Sequence, residues 1–242
     1  MSYIETKGNI FNSNAMAIVN TVNCVGAMGK GIALDFKLRY PAMFQEYQKI
    51  CFKKMLRPGQ ILPYTKSTPI ILNFAIKDDW KDPSRMEWIE ETLVKFAENY
   101  KGLGITSVAF PWMGAMNGGL PLEDIKSIMR KYLSNLDDIS VEVYDFDPDT
   151  PCALFNTLKE LVANDSYSIE ELQDLSGIKG RYWLKIIDAV KDPKTKSINN
   201  LCHYVVDGKR IIGKTNIERL FVFLTEVKEG RINITKQLFD CK

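Results

Sequence analysis

Up to about residue 146 the chain alternates short apolar, β-branched runs with longer stretches whose apolar residues recur every three or four positions. The short runs predict strands near Tyr3–Thr6, Ala17–Asn23, Gln60–Tyr64, Pro69–Ala75, Ser107–Phe110 and Val141–Phe146. Two of them, "IILNFAI" and "SVAF", are apolar at consecutive positions, the pattern of a strand buried on both faces. Among the longer stretches, "SRMEWIEETLVKFAENY" sets Met86, Ile89, Leu93 and Phe96 on one side of a helix, with Ser84 as its expected N-cap. "LPLEDIKSIMRKYL" opens on Pro121, where a helix tolerates proline, and aligns Leu122, Ile125, Met129 and Tyr132. Tyr40-Pro41 separates two earlier helical segments. Alternation of this kind predicts an α/β layered domain, whose ligands gather at the carboxyl ends of the strands.

The pattern changes after "DFDPDTPCA", an acidic stretch with two prolines that marks a boundary. We expect one domain over residues 1–150 and a small, mainly helical one over 156–242. In the latter, Ser168 and Glu171 form a capping-box pair, and "HYVVDGKRIIG" predicts a hairpin around Asp207-Gly208. "LSGIKGRYWLKII" resembles helix-hairpin-helix DNA contacts, in which glycine-bounded N–H groups meet a phosphate; the plainer reading is a simple helix turn.

Composition narrows the class. With 45% hydrophobic and 26% charged residues in 242, and no apolar stretch near the roughly 20 residues of a membrane span, the chain reads as a globular protein not held in a membrane. "MSYIETKGNIF" lacks a basic cap, an apolar run and a small-residue cleavage site, so the expectation is a cytoplasmic protein. Cys24, Cys51, Cys152, Cys202 and Cys241 are odd in number and scattered, and His203 is the lone histidine, which argues against a zinc site or a disulfide framework. Cys24 reads as a packed residue, and His203 falls in the expected hairpin. The net charge of +2 allows a polyanionic partner, and the basic excess lies to the C-terminal side: 15 Lys plus Arg against 12 Asp plus Glu from Ala153 onward.

The candidate chemistry lies in two glycine clusters. "NTVNCVGAMGKGIALDF" and "FPWMGAMNGGLPLEDI" each run from a strand through a glycine-rich turn into a helix, where exposed N–H groups and the helix dipole favour an anion. The first is not a P-loop, because Lys30 is followed by Gly31 instead of a hydroxyl residue. Nor is it a dinucleotide fingerprint, since Gly26, Gly29 and Gly31 have the wrong spacing. Two such loops can grip one diphosphate from opposite sides.

Taken in order, "KGNIF", "IVNTVNCVGAMGKGIALDFK", "LNFAIKDDW" and "GAMNGGL" resemble the macrodomain family, which binds ADP-ribose, over roughly residues 1 to 148. They look most similar to its bacterial DNA-directed branch, antitoxins that remove ADP-ribose from thymine in DNA, and more distantly to the terminal ADP-ribose protein glycohydrolase. The resemblance implies a three-layer α/β/α fold around a mixed six-stranded sheet, no cofactor and no metal. It implies three partners: ADP-ribose, ADP-ribosylated DNA and a cognate DNA ADP-ribosyltransferase toxin.

The resemblance also implies roles for residues. Gly8, Asn9 and Ile10 occupy the adenine position, where the family has an aspartate; the Asn9 oxygen still accepts a hydrogen bond but without a carboxylate's charge. Met28, Gly29, Lys30, Gly31 and Ile32 match the first phosphate loop. Gly114, Ala115, Met116, Asn117, Gly118, Gly119 and Leu120 match the second, with Met116 departing from the family's glycine. Asn20 and Asn23 correspond to the paired asparagines, and Lys77 to the branch's catalytic lysine, with Asn23 beside the distal ribose. Asn23 as a plain turn residue remains open, as does packing for Trp80 and Trp112. Lys77 acts either as a neutral nucleophile or as a charged donor, and Asp78 and Asp79 are expected to favour the charged form. The rival functions are a non-catalytic ADP-ribose reader and an antitoxin-like protein that binds a partner ADP-ribosyltransferase.

Overall fold

The computed structural model describes residues 2–163 and 167–232, which form two compact units meeting at Phe146 and Asp147. In the first unit β1 (Ser2–Gly8), β2 (Ala17–Val22), β3 (Ile61–Tyr64), β4 (Ile70–Ala75), β5 (Ser107–Pro111) and β6 (Ser140–Phe146) make one sheet, ordered β1-β6-β5-β2-β4-β3. Every neighbouring pair is parallel except β3 with β4, so the sheet is mixed and its one reversed strand lies at an edge.

Alternation along the central strands divides the core into two layers, because successive side chains point to opposite faces. Ala17, Val19, Leu72, Phe74, Val108, Phe110, Val141 and Val143 pack on one face with α3 (Met86–Asn99) and α4 (Leu122–Leu133). Ile18, Val22, Ile71, Ala75 and Ala109 pack on the other with α1 (Gly31–Arg39) and α2 (Pro41–Phe52). Helices on both faces leave the central strands fully buried and complete the three-layer α/β/α arrangement. Phe74 and Phe96 both meet Phe110 edge-on, at 5.7 and 5.2 Å between ring centroids.

Local expectations are corrected at two helix starts. Arg85, not Ser84, is the N-cap of α3; the Ser84 N–H donates to the Gly118 carbonyl at 2.9 Å, and its hydroxyl is buried with no hydrogen-bond partner. Pro121 stands just outside α4 as its cap residue, Leu122 is exposed, and Leu133 replaces it on the buried side. The amphipathic stripe is therefore Ile125, Met129 and Leu133, with Tyr132 only partly packed.

The second unit contains α5 (Ala153–Ala163), α6 (Ile169–Ser176), α7 (Gly180–Lys191), α8 (Ile198–His203), a short hairpin of β7 (Val205–Val206) and β8 (Lys209–Arg210), and α9 (Lys214–Lys228). The capping box is formed: the Ser168 hydroxyl accepts from the Glu171 N–H at 3.2 Å and the Glu171 carboxylate from the Ser168 N–H at 2.8 Å. Asp207 and Gly208 turn the hairpin with φ of 51° and 73°, while His203 ends α8 instead of entering it. Trp183 is fully buried; its Nε1–H donates to Leu172 O and Ser176 Oγ, and its ring meets Phe223 edge-on at 5.7 Å. Cys241 lies outside the described residues. Among the described residues no helix is long and apolar enough to cross a membrane.

Candidate functional site

Because β1, β2, β4, β5 and β6 run parallel, their carboxyl ends share one edge of the sheet. Gly8 pairs with Phe146 and Val22 with Ala75, and β5 ends on Pro111, so the segments after Gly8, Val22, Ala75 and Pro111 all leave from that edge. Every candidate residue except Asn20 follows or ends one of these strands. Topology thus brings together four pieces separated by a hundred residues of chain.

The first loop is built on Asn23. Its side-chain oxygen accepts from the Val25 N–H at 3.1 Å, the Ala27 N–H at 3.2 Å and the Tyr47 hydroxyl at 3.0 Å, and its amide nitrogen donates to Ala27 O at 2.6 Å. Burial pushes the Tyr47 hydroxyl well above the usual tyrosine range, so it remains a donor, and it also reaches the Asn23 carbonyl at 2.7 Å. Asn23 therefore shapes the loop. Met28 anchors the loop's far side in the core, leaving its backbone and the exposed Gly29 and Lys30 at the surface. Lys30 is the N-cap of α1 and makes no side-chain cap, so the first N–H groups of α1 face outward from this loop without a side-chain acceptor. Ile32 is half-buried against the core beneath.

Asn20 behaves differently. Its side chain is completely buried in the middle of β2 and donates to Asn73 Oδ1 on β4 at 2.8 Å, while Asn73 donates to Leu62 O at 3.1 Å. It belongs to a polar seam inside the sheet, not to the loop surface. Asn9 caps the 3-10 turn over Ile10–Asn12, its oxygen accepting from the Phe11 N–H at 3.1 Å; Gly8 and Ile10 are buried beside it. The Asn9 oxygen keeps a second lone pair for an incoming donor.

The second loop closes on itself: the Leu120 N–H donates to Gly114 O at 3.1 Å and the Gly119 N–H to Met116 O at 3.3 Å. A Cβ at Gly118 would strike the Gly114 backbone, so this turn admits glycine alone. Ala115 is half-buried and Met116 stands out from the loop, 75% exposed. The two loops meet at Gly31, which has φ of 56° and whose Cβ position is filled by the Asn117 amide.

Lys77 completes the cluster. It lies two residues past β4, and its Nζ donates to Asn117 O at 2.7 Å, tying the strand end to the second loop. Burial lowers its pKa below the ordinary lysine value, and the charge of Asp82 opposes this. Asp78 and Asp79, expected to play that part, are not the charges that act on Lys77: the Asp78 carboxylate bears on the Cys24 thiol, and the Asp79 carboxylate accepts from the Lys81 N–H. Burial also pushes the Cys24 thiol up to about 12, which rules it out as a thiolate nucleophile near neutral pH. Trp112 packs on the core, whereas Trp80 is exposed with Lys81 Nζ 5.4 Å from its ring centre.

Three residues that shape or flank the candidate site escaped the sequence reading. Tyr47 holds Asn23 from α2, in no motif; Asp82 lies five residues past Lys77 with no pattern to mark it. Asn73 did leave a signal, as the one polar residue in an otherwise apolar strand.

Comparison with known proteins gives a consistent family. The Macro domain family model matches residues 19–129. The DNA ADP-ribosyl glycohydrolase of Thermus aquaticus is 40% identical over 144 residues, covering 57% of this chain and 40% of that protein. The DNA ADP-ribosyl transferase-DNA ADP-ribosyl glycohydrolase fusion protein of Thermosipho africanus is 32% identical over 163 residues, covering 60% and 41%. Among solved structures, the macrodomain of Thermus aquaticus DarG matches with a TM-score of 0.57 and 38% identity, over 60% of this chain and 98% of that one. Thermosipho africanus DarTG in complex with ADP-ribose matches with a TM-score of 0.56 and 31% identity, over 62% and 43%. The chain spans about 40% of the length of the curated relatives it matches.

Proposed function

The chain belongs to the macrodomain family, and from that premise we propose that it is an ADP-ribosyl glycohydrolase that releases ADP-ribose from a base, thymine, in DNA. The observation that carries the reading is the position of Lys77, its amine against the second glycine loop at the point where that loop meets the first. A diphosphate held by the N–H groups of both loops sets the distal sugar beside that amine, and Asn9 receives the adenine amino group. The names and the bound ADP-ribose of the relatives support the same ligand.

In this reading Lys77 acts as the nucleophile, since burial favours its neutral form. The Nζ lone pair bonds to the anomeric carbon as the bond to the base nitrogen breaks, and the base leaves with a proton. Water then hydrolyses the lysine adduct, freeing ADP-ribose and restoring the amine. Asn23 acts here by holding the loop that fixes the sugar.

Lys77→Ala separates this enzyme from a non-catalytic reader. We expect release of ADP-ribose from ADP-ribosylated DNA to fall at least about a hundredfold, in the range that removal of a catalytic group costs, while calorimetric affinity for free ADP-ribose persists. A wild-type chain that binds ADP-ribose and releases none is a reader. A panel of modified DNAs, RNAs and proteins tests the thymine assignment. The fusion of the two activities in the Thermosipho africanus relative supports a second association, with a DNA ADP-ribosyltransferase; co-purification of the full chain with such an enzyme tests it. A cytoplasmic location is part of the same reading, in keeping with the buried thiols of Cys24, Cys51 and Cys152.

A further inference from the structure

The second unit carries a basic recess that the glycohydrolase reading does not use. Lys179, Arg181, Lys214 and Arg219 line one concave site of about 340 Å³, together with Tyr182 and Asn216, and no carboxylate lines it. All four cations are exposed, and none is paired with a carboxylate among the described residues. Arg219 is fixed by donating to Gly177 O at 2.6 Å, and Arg181 lies over the Tyr182 ring at 4.9 Å. Both arrangements leave the guanidinium charge uncompensated. Like charges gathered without counter-charge repel one another, and the unit keeps four on one wall. The adjoining recess beyond Arg219 holds Glu218 and Glu226 instead, so the basic character is confined to one side.

The backbone adds to the field. The recess is bordered by the first residues of α7 and α9, whose N-caps, Lys179 and Gly213, provide no side-chain acceptor. The glycine-bounded turn between α6 and α7 is not the main donor set, because three of its N–H groups are already spent. Gly177 N–H donates to Gln173 O at 2.8 Å, Ile178 N–H to Ser176 Oγ at 3.1 Å and Gly180 N–H to Gln173 Oε1 at 2.9 Å. What remains for an anion is the four side chains and the start of α9.

We propose that this recess binds the phosphodiester backbone of duplex DNA without reading its sequence. Two arginines offer forked donors suited to phosphate oxygens, Asn216 and Tyr182 offer further polar contacts, and the recess is open enough for a passing strand. An acidic protein surface is the competing occupant. The proposal stands apart from the glycohydrolase reading, because every residue it uses lies in the second unit.

The test uses the full chain and a labelled, unmodified DNA duplex. With four phosphates neutralised, one for each cation, affinity should fall by roughly 150-fold for a fourfold rise in salt. The triple variant Lys179→Glu, Arg181→Glu, Lys214→Glu should bind at least about tenfold more weakly and flatten the salt slope by about 2.7. Lys214→Ala alone, at an exposed helix start, should flatten it by about 0.9 with little risk to folding. Lys228→Glu changes net charge equally per residue but sits at the other end of α9, roughly 20 Å away along the axis and beyond the screening length, and should leave affinity unchanged. Retained ADP-ribose affinity and ADP-ribose release show that the first unit is intact, so loss of DNA binding is read separately from loss of turnover. Equal weakening by Lys228→Glu overturns the site, as does a salt-independent affinity. Displacement of the duplex by poly-glutamate at equal charge assigns the recess to an acidic protein and overturns the DNA proposal.

Discussion

In the proposed mechanism Lys77 is the residue on which the chemistry turns, and its environment makes a directional claim. Desolvation disfavours the ammonium form, so the neutral amine is populated at lower pH than for an ordinary lysine. A nucleophilic Lys77 therefore predicts that kcat/KM rises with pH as the amine deprotonates and levels off below the ordinary lysine value of about 10.4. A rate that declines through the same interval assigns the residue the donor role instead. The second loop makes a claim of another kind. Gly118 has the Gly114 backbone where a Cβ belongs, so Gly118→Ala has to open the turn. Because the turn lies at the surface and tethers Lys77 through Asn117, we expect ADP-ribose affinity to weaken about tenfold, equivalent to about 1.4 kcal/mol, with a smaller loss of stability. Titration calorimetry beside thermal melting checks both.

At the level of elements, local signals succeed where a helix start has its own chemistry and fail where packing decides. Ser168 and Glu171 close a reciprocal pair at the start of α6, and Ser168→Ala should cost about 1 kcal/mol, read as a lower denaturation midpoint for the second unit. Ser84 has the same residue type at the same offset and does not cap, because its N–H is drawn to Gly118 and its hydroxyl is enclosed behind the second loop. A serine before a helix is a cap only when the chain there is free to turn its side chain inward. The strands were legible for a related reason: short apolar, β-branched runs, consecutive in β4 and β5, leave few alternatives, and each predicted strand falls within two residues of its observed limits.

For the whole molecule, the division into two compact units predicts separable behaviour. Trp183 anchors the second unit by ring contact with Phe223 and by two hydrogen bonds to α6. Trp183→Ala should destabilise that unit by about 3–5 kcal/mol, while affinity for ADP-ribose changes less than about twofold, since Trp183 and the glycine loops belong to different compact units. Calorimetric melting with and without ADP-ribose gives the measurement: ligand should raise only the transition of the first unit. A single transition moved by both the substitution and the ligand contradicts that independence.

What the sequence determined alone is whatever depends on neighbours in the chain. Short apolar, β-branched runs set the strands, glycines placed the two loops between strand and helix, and the order of the motifs carried the family resemblance. The tertiary structure decided which residues of those motifs lie inside the sheet and which shape the loops. Asn20 and Asn23 sit three residues apart in one motif, yet one is sealed in the sheet against Asn73 and the other shapes a loop with Tyr47. Nor could adjacency reveal that Asp82, not Asp78 or Asp79, bears on Lys77. Contacts across the carboxyl edge of a parallel sheet join segments far apart along the chain, and the electrostatics of a half-buried amine follow distance in space, which spacing along the backbone does not encode.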